Sequence, residues 1–318
     1  MQVISAEVLK NLGVNKTPIS GVVMIKSYSI GLTKRGDEFI NGDLLSGVVV
    51  QFKAWNNSLA FSKLKSGEYT GQVMYISGEV NEYQGQKSII VNTVNEPDDD
   101  YSVDLFMPVK YNTEAYWNGL KSQFEYKTSD KIHEIANEVL FNNEEVAERF
   151  KIEQAASSHH DNCKSGLLAH TYKVMRLMDT VISEYPSIRN NLDGTVNQDM
   201  VDLLKFGVLV HDIGKIHEMK FGVYQPCAIV THRYLGIEML PKNKIIEAYN
   251  EEWWLQLVAI LLQHHGEFGD NCRTLGAYLV HKCDLLESQL TSLTQSLESP
   301  ISSPAGDRIK QDDLWLSI

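Results

Sequence analysis

In the second half of the chain, ionisable side chains repeatedly fall on apolar stripes that have the period of a helix. Leu167, His170, Val174 and Leu177 are separated by three, four and three residues. The same step relates Val201, Leu204, Val208 and His211, then Trp254, Leu257, Leu261 and His264, and finally Ala277, Val280 and Asp284. Each set occupies one face of a helix. A polar group on a core-facing stripe costs free energy unless it is paired, hydrogen-bonded or coordinated. Four such groups in one domain invite a shared explanation. Histidine and aspartate are the mixed nitrogen and oxygen donors that hold first-row divalent metals, and side chains projecting inward from several helices can build such a site. Nine of the ten histidines lie beyond residue 150, so the chemistry is expected in this half of the chain.

The first half reads differently. Short runs rich in β-branched residues, such as Gly21-Val22-Val23-Met24-Ile25, Val48-Val49-Val50-Gln51-Phe52 and Ser88-Ile89-Ile90-Val91, are punctuated by glycines. They suggest a small closed or sandwiched β-domain. The character changes near Glu96-Pro97-Asp98-Asp99-Asp100, and beyond Pro108 the pattern is helical to about Ser299. At 318 residues there is room for two domains, each with its own core. The expected class is therefore α+β in two domains: a β-domain over 1–97, a helical connector over 98–155, an all-α domain over 156–298, and a loose tail over 299–318.

Composition narrows the setting. Apolar residues at 43% and charged residues at 22% are those of a globular protein, and no apolar run approaches the ~20 residues of a membrane span. The opening MQVISAEVLKNLG lacks a secretory pattern, so the expected location is cytoplasmic and no membrane partner is expected. Cys163, Cys227, Cys272 and Cys283 form no CxxC pair, which argues against a zinc knuckle or disulfide framework. The net charge of −12 speaks at first against nucleic acid. Within 17–97, however, seven basic residues balance seven acidic ones, so the acidic excess lies elsewhere and the β-domain is free to bind phosphate modestly.

The pair His211-Asp212, followed by Ile213-Gly214-Lys215, is more specific than any single histidine. With His170, His264-His265 and Asp284 it resembles the H…HD…H…D signature of the HD phosphohydrolase superfamily, and His232 resembles the extra histidine of its binuclear members. The resemblance extends further. His159-His160, Gly166-Leu167-Leu168-Ala169-His170-Thr171, Val210-His211-Asp212-Ile213-Gly214-Lys215 and Gln263-His264-His265-Gly266-Glu267 are similar to the bacterial YhaM family of 3′-to-5′ exoribonucleases, which places an OB-fold before an HD domain. Phe52-Lys53-Ala54-Trp55, Leu64-Lys65-Ser66-Gly67 and Gly78–Gly85 are similar to that family's OB segment, so about residues 20–290 are covered. Ala169 departs from the pattern, since an acidic residue commonly precedes the first metal histidine.

That resemblance implies an OB-like barrel followed by an all-α HD domain, acting as a metal-dependent 3′-to-5′ exonuclease on RNA or single-stranded DNA. It implies metal ligation by His170, His211, Asp212, His232, His264 and Asp284, with two ions about 3.5–4 Å apart bridged by Asp212. Mn2+ is the first expectation, and Fe, Co or Ni are the alternatives. Lys215 is expected to supply catalytic charge beside Asp212, and His160, His265 and Arg233 to hold substrate phosphate. Single strands are held on OB barrels by aromatic faces beside basic residues, which singles out Trp55 with Lys53, and Tyr83, Lys34 and Arg35. The sequence is also compatible with a homo-oligomer. Two rival readings stand beside this one: a nucleotide or second-messenger phosphohydrolase, and a non-catalytic single-strand-binding accessory protein.

Overall fold

In the computed structural model, which describes residues 2–157, 161–298, 308–311 and 314–317, the chain divides into two compact units, Met1–Lys110 and Tyr111–Ile318. The first unit opens on α1 (Ala6–Lys10) and continues through β1 (Pro18–Leu32), β2 (Glu38–Leu45), β3 (Val49–Trp55), α2 (Leu59–Ser66), β4 (Val73–Tyr83) and β5 (Gln86–Asn95). The strands close in the order β1-β2-β3-β5-β4, with β4 returning to β1; β3 and β5 are parallel and every other pair is antiparallel. A five-stranded closed barrel with a helix between its third and fourth strands is an OB-like fold.

Alternation decides which side chains enter the barrel. Along β3, Val50, Phe52 and Ala54 are buried while Gln51 and Trp55 face out. The ring of Phe52 is thereby spent on the core. Tyr28 points its hydroxyl under α2, where it donates to the Gly67 carbonyl at 2.8 Å and accepts from the Tyr69 amide at 3.2 Å. The compact unit runs past residue 97 to Lys110 because Phe106 is fully buried and its carbonyl accepts from the Gly47 amide at 2.7 Å.

The second unit contains α3 (Thr113–Glu125), α4 (Asp130–Ala136), α5 (Glu144–Ile152), α6 (Gly166–Glu184), α7 (Pro186–Arg189), α8 (Gln198–Val210), α9 (Lys215–Glu218), α10 (Thr231–Glu238), α11 (Lys242–Ala248), α12 (Glu251–Gln263) and α13 (Leu275–Glu298). Asparagine starts many of these helices: Asn112, Asn143, Asn197 and Asn250 each accept the amide three residues on, which satisfies a donor the helix cannot use. The segment expected as a connector contributes Trp117, Leu120, Phe124, Ile132, Ile135 and Phe150 to the same core as Leu167, Val208, Leu257 and Val280. Each Leu, Ile, Val or Phe among them, once buried, contributes about 1.5–3 kcal/mol. Of the tail expected from residue 299, residues 299–307 lie outside the described ones; Arg308–Gln311 pairs antiparallel with Leu314–Ser317.

Helix α8 is at the centre, and every residue from Val201 to Val210 is buried. Two of these are charged. Lys205 sits 2.9 Å from Asp179 and donates to the Gln123 carbonyl, while burial lowers its pKa against the opposing pull of Asp179. Asp202 accepts from the Ser129 amide at 3.0 Å, Gln198 Nε2 at 2.9 Å and the Tyr249 hydroxyl at 2.7 Å. It thus fastens the start of α4 and the end of α11 to α8. Asp202→Ala would strand these donors, and a loss of about 3 kcal/mol or more is expected. Urea unfolding followed by tryptophan fluorescence checks this; a loss below about 1 kcal/mol contradicts the account.

Candidate metal centre and nucleic-acid interface

The helical core delivers its ionisable groups to one place. His170 comes from α6, and His211 caps the C-terminus of α8, with Asp212 next in the turn that leads to α9. His264 caps α12, while His232 stands in α10 and Asp284 in α13. The approach of α10 depends on Gly214, because a Cβ there would lie 2.0 Å from the His232 carbonyl and 2.5 Å from the Gly236 amide. Only a bare Cα lets the helix carrying His232 rest on the turn carrying Asp212.

Each histidine is oriented by its outer nitrogen. His211 Nδ1 lies 2.8 Å from the Val208 carbonyl and His264 Nδ1 2.9 Å from the Leu261 carbonyl, so each donates there and turns Nε2 inward as an acceptor. His232 Nδ1 pairs with Glu218 at 2.8 Å, and the same carboxylate accepts the His232 amide at 2.9 Å. His170 Nδ1 lies 2.5 Å from Glu287. Glu287 is in turn 2.9 Å from Lys173, whose ammonium also reaches the buried Asp161 at 3.1 Å.

Two groups of donors meet at Asp212. His170, His211 and Asp284 form one; Asp212, His232, His264 and His265 form the other. The Asp212 carboxylate divides between them. Its Oδ2 is 3.4 Å from His211 Nε2 and 3.6 Å from His170 Nε2, whereas Oδ1 is 3.4 Å from His232 Nε2 and 3.6 Å from His264 Nε2. Asp212 Oδ1, His232 Nε2 and His264 Nε2 are all buried without a hydrogen-bond partner. Three orphaned acceptors turned toward one another are costly unless a cation lies among them. The donor set fits a first-row divalent metal.

The electrostatics agree with that fit. Burial pushes His211 down to about 4, and it also lowers His232 despite the neighbouring Glu218. Burial, with His264 adding to it, takes His265 down to about 3. These rings are neutral donors at pH 7. Burial disfavours a charged Asp212 too, but Lys215 at 2.7 Å and the surrounding histidines outweigh it and hold the carboxyl well below the usual range. His170 is the exception: burial opposes its charge, yet Asp284 and Glu287 raise its pKa to about 10.

The remaining expected residues are placed as follows. Lys215 donates from Nζ to Asp212 Oδ2 and to the Ala155 carbonyl, each at 2.7 Å. His265 lies beside His264 and His232 and within the second donor group. Arg233 does not join the cluster, since its guanidinium donates to the Leu262 carbonyl and to Asp270. His160 lies outside the described residues. Glu218 and Glu287 were missed in the sequence, although Glu287 stands one turn beyond Asp284 and the i, i+3 spacing could have flagged it. A cavity of about 650 Å3 opens over the centre, lined by His170, Asp212, Lys215, His265 and Asp284 among others.

On the barrel, the outer face of β1, β2 and β3 forms cross-strand rows. Ser29, Asn41 and Lys53 make one row and Gly31, Phe39 and Trp55 the next. Trp55 and Phe39 lie with ring centroids 5.6 Å apart, and Trp55 remains 39% exposed. Lys53 lines a groove of about 470 Å3 with Phe39 and Asn41. Lys34 and Arg35 occupy the β1–β2 turn, and exposed Tyr83 ends β4 at the β4–β5 turn. These are the face and two loops that OB folds use for oligonucleotides.

The HD domain family model matches residues 167–289, the segment that carries every donor described above. Along nearly its whole length the chain is similar to the curated 3'-5' exoribonuclease YhaM. The identity is 24% to the protein of Listeria monocytogenes serotype 4b, over 90% of each chain. It is 27% to that of Oceanobacillus iheyensis, over 87% of this chain and 86% of the other. A solved structure of the mitochondrial single-stranded DNA binding protein Rim1 from S. cerevisiae covers 26% of this chain and 94% of its own, at 14% identity and a TM-score of 0.24.

Two outcomes are expected of the centre. His264→Ala should lower bound metal well below the level left by His265→Ala, because His264 Nε2 is buried and directed at Asp212 whereas His265 is partly exposed; equal metal content by elemental analysis would contradict this. A cation bound at His170 must displace a proton that its raised pKa retains at neutral pH, so affinity should rise with pH below about 10. Calorimetry in buffers of different ionisation enthalpy should count about one proton released; a count of zero would be inconsistent.

Proposed function

We propose that the chain is a divalent-cation-dependent 3′-to-5′ exonuclease acting on single-stranded RNA, with single-stranded DNA as a second substrate. The observation that carries this reading is the convergence of Asp212 Oδ1, His232 Nε2 and His264 Nε2, buried and unpartnered, beneath an open cavity. The direction and the preference for RNA are supported by the similarity, over about nine-tenths of the chain, to relatives named 3'-5' exoribonuclease. Mn2+ is the preferred ion, with His170, His211 and Asp284 on one side, His232 and His264 on the other, and Asp212 shared. When bound, such cations neutralise phosphoryl charge and lower the pKa of water, so that attack proceeds at neutral pH.

The protein's own groups do the rest. Lys215, fixed between Asp212 and the Ala155 carbonyl, keeps Asp212 ionised and adds positive charge where charge grows on the phosphoryl oxygens. Glu218 and Glu287 hold His232 and His170 in the rotamers that aim Nε2 inward. His265, neutral and partly exposed on the cavity wall, is placed to donate to a phosphate oxygen. The barrel rows bearing Lys53, Phe39 and Trp55 supply a stacking and phosphate platform for the strand.

The test incubates the Mn2+-loaded protein with single strands of RNA and DNA labelled at either end. Nucleoside monophosphates should accumulate from the 3′ end and release should stop on chelation; orthophosphate alone, or action confined to free nucleotides, would point to the rival hydrolase. Trp55→Ala should raise KM for long strands by about five- to 150-fold with kcat retained, since a stacked base contributes about 1–3 kcal/mol of uniform binding. An unchanged KM would remove Trp55 from the platform.

A further inference from the structure

The wall of the cavity over the metal centre combines two chemistries. His170, Asp212 and Lys215 form an ionic surface, and Phe268 and Leu285 an apolar one. Phe268 is 75% exposed although it is a large aromatic ring. Among the described residues lining this cavity, it is the one aromatic side chain that is not a histidine.

Its position is fixed by the chain that carries the metal donors. Phe268 ends a single 3-10 turn, Gly266–Phe268, in which its amide donates to the His265 carbonyl at 3.1 Å and the Gly269 amide to the Gly266 carbonyl at 2.9 Å. Gly266 takes φ +54°, and a Cβ there would lie 2.4 Å from His281 Nε2. His281 is itself buried, and its Nδ1 donates to the His264 carbonyl at 2.7 Å. One ring therefore clamps both the His264 carbonyl and the backbone of Gly266, and the path from His264 to Phe268 is left little freedom. The backbone beneath a bare aromatic ring is thus held beside the metal donors.

The ligand that combines an anionic phosphate with a flat apolar face is a nucleotide. We infer that Phe268 is the stacking platform for the terminal nucleobase of the strand being cut, so that one cavity grips base and phosphate together. This rests on the reading of the chain as a nuclease. Base–aromatic stacking is sequence-tolerant because every base has a π-face, so the platform would serve an enzyme that must accept each base in turn. It would also act separately from the barrel: the barrel would affect long strands, and Phe268 the last residue alone.

The experiment compares a nucleoside 5′-monophosphate with ribose 5-phosphate, titrated calorimetrically into the Mn2+-loaded full chain, for the wild type, Phe268→Ala and Phe268→Tyr. The wild type and Phe268→Tyr should bind the nucleotide about tenfold more tightly than the sugar phosphate, and Phe268→Ala should bind both alike at unchanged metal content. On strands, Phe268→Ala should raise KM for an ordinary 3′ end and leave KM for an abasic 3′ end as it was. Equal binding of the two ligands by the wild type, or a preference that survives in Phe268→Ala, overturns the inference. If strands are still cut in that case, the nuclease reading stands without it. If the preference disappears in Phe268→Ala while the wild type cuts no strand, the nuclease reading falls and the platform is one for free nucleotides.

Discussion

The helical unit is organised around one carboxylate. Asp212 is buried in a shell of four imidazoles and one ammonium, with one oxygen turned to His170 and His211 and the other to His232 and His264. A carboxylate so placed cannot take up a proton cheaply, because Lys215 and the histidines hold it ionised, and it cannot be left unpaired. Its neighbours must answer it from four different helices. They are His170 on α6, Lys215 on α9, His232 on α10 and His264 at the end of α12, and Gly214 has no side chain that would hold α10 away.

Around this group lies an outer ring of carboxylates. Glu287 and Glu218 each take the outer nitrogen of a histidine, and Glu287 is balanced by Lys173, which is balanced in turn by Asp161. Burial pushes Glu287 up, yet His170 and Lys173 outweigh it and bring its pKa to about 2. The acidic composition of the chain is thus partly internal. These are acids placed to raise the basicity and fix the orientation of the donors, rather than a solvated skin.

Much of the centre was legible in the sequence because its donors sit on helices, where a step of three or four residues reports a shared face. His170, His211, His264 and Asp284 could each be read from their own apolar stripe, and the structure brings them together. What the stripes could not carry was contact between helices. Glu218 lies on a four-residue helix too short to show a period, and its meeting with His232 depends on the chain between them, in which Met219–Lys220 pairs antiparallel with Val223–Tyr224. The partners of Arg233 were hidden for a related reason: adjacency to His232 in sequence places it about 100° around the helix, where it meets the Leu262 carbonyl and Asp270. In the barrel, Trp55 beside Lys53 could be read as a surface aromatic, but the burial of Phe52 and the side-by-side placing of Phe39 and Trp55 follow from a register that only strand pairing sets. The helices over 113–152 read as a connector because their stripes, taken one at a time, do not say which core they enter.

Helix α8 offers solvent no side chain from Val201 to Val210, and the two central ligands lie at its very end. Amides of so enclosed a segment exchange with water chiefly when the whole unit opens, not when a loop frays. The anchor of the site is therefore as persistent as the domain itself, and a cation bound there acts on the folding equilibrium of the entire helical unit. Metal supply and the persistence of the fold are thereby linked, because the free energy of cation binding adds to that of the entire helical unit.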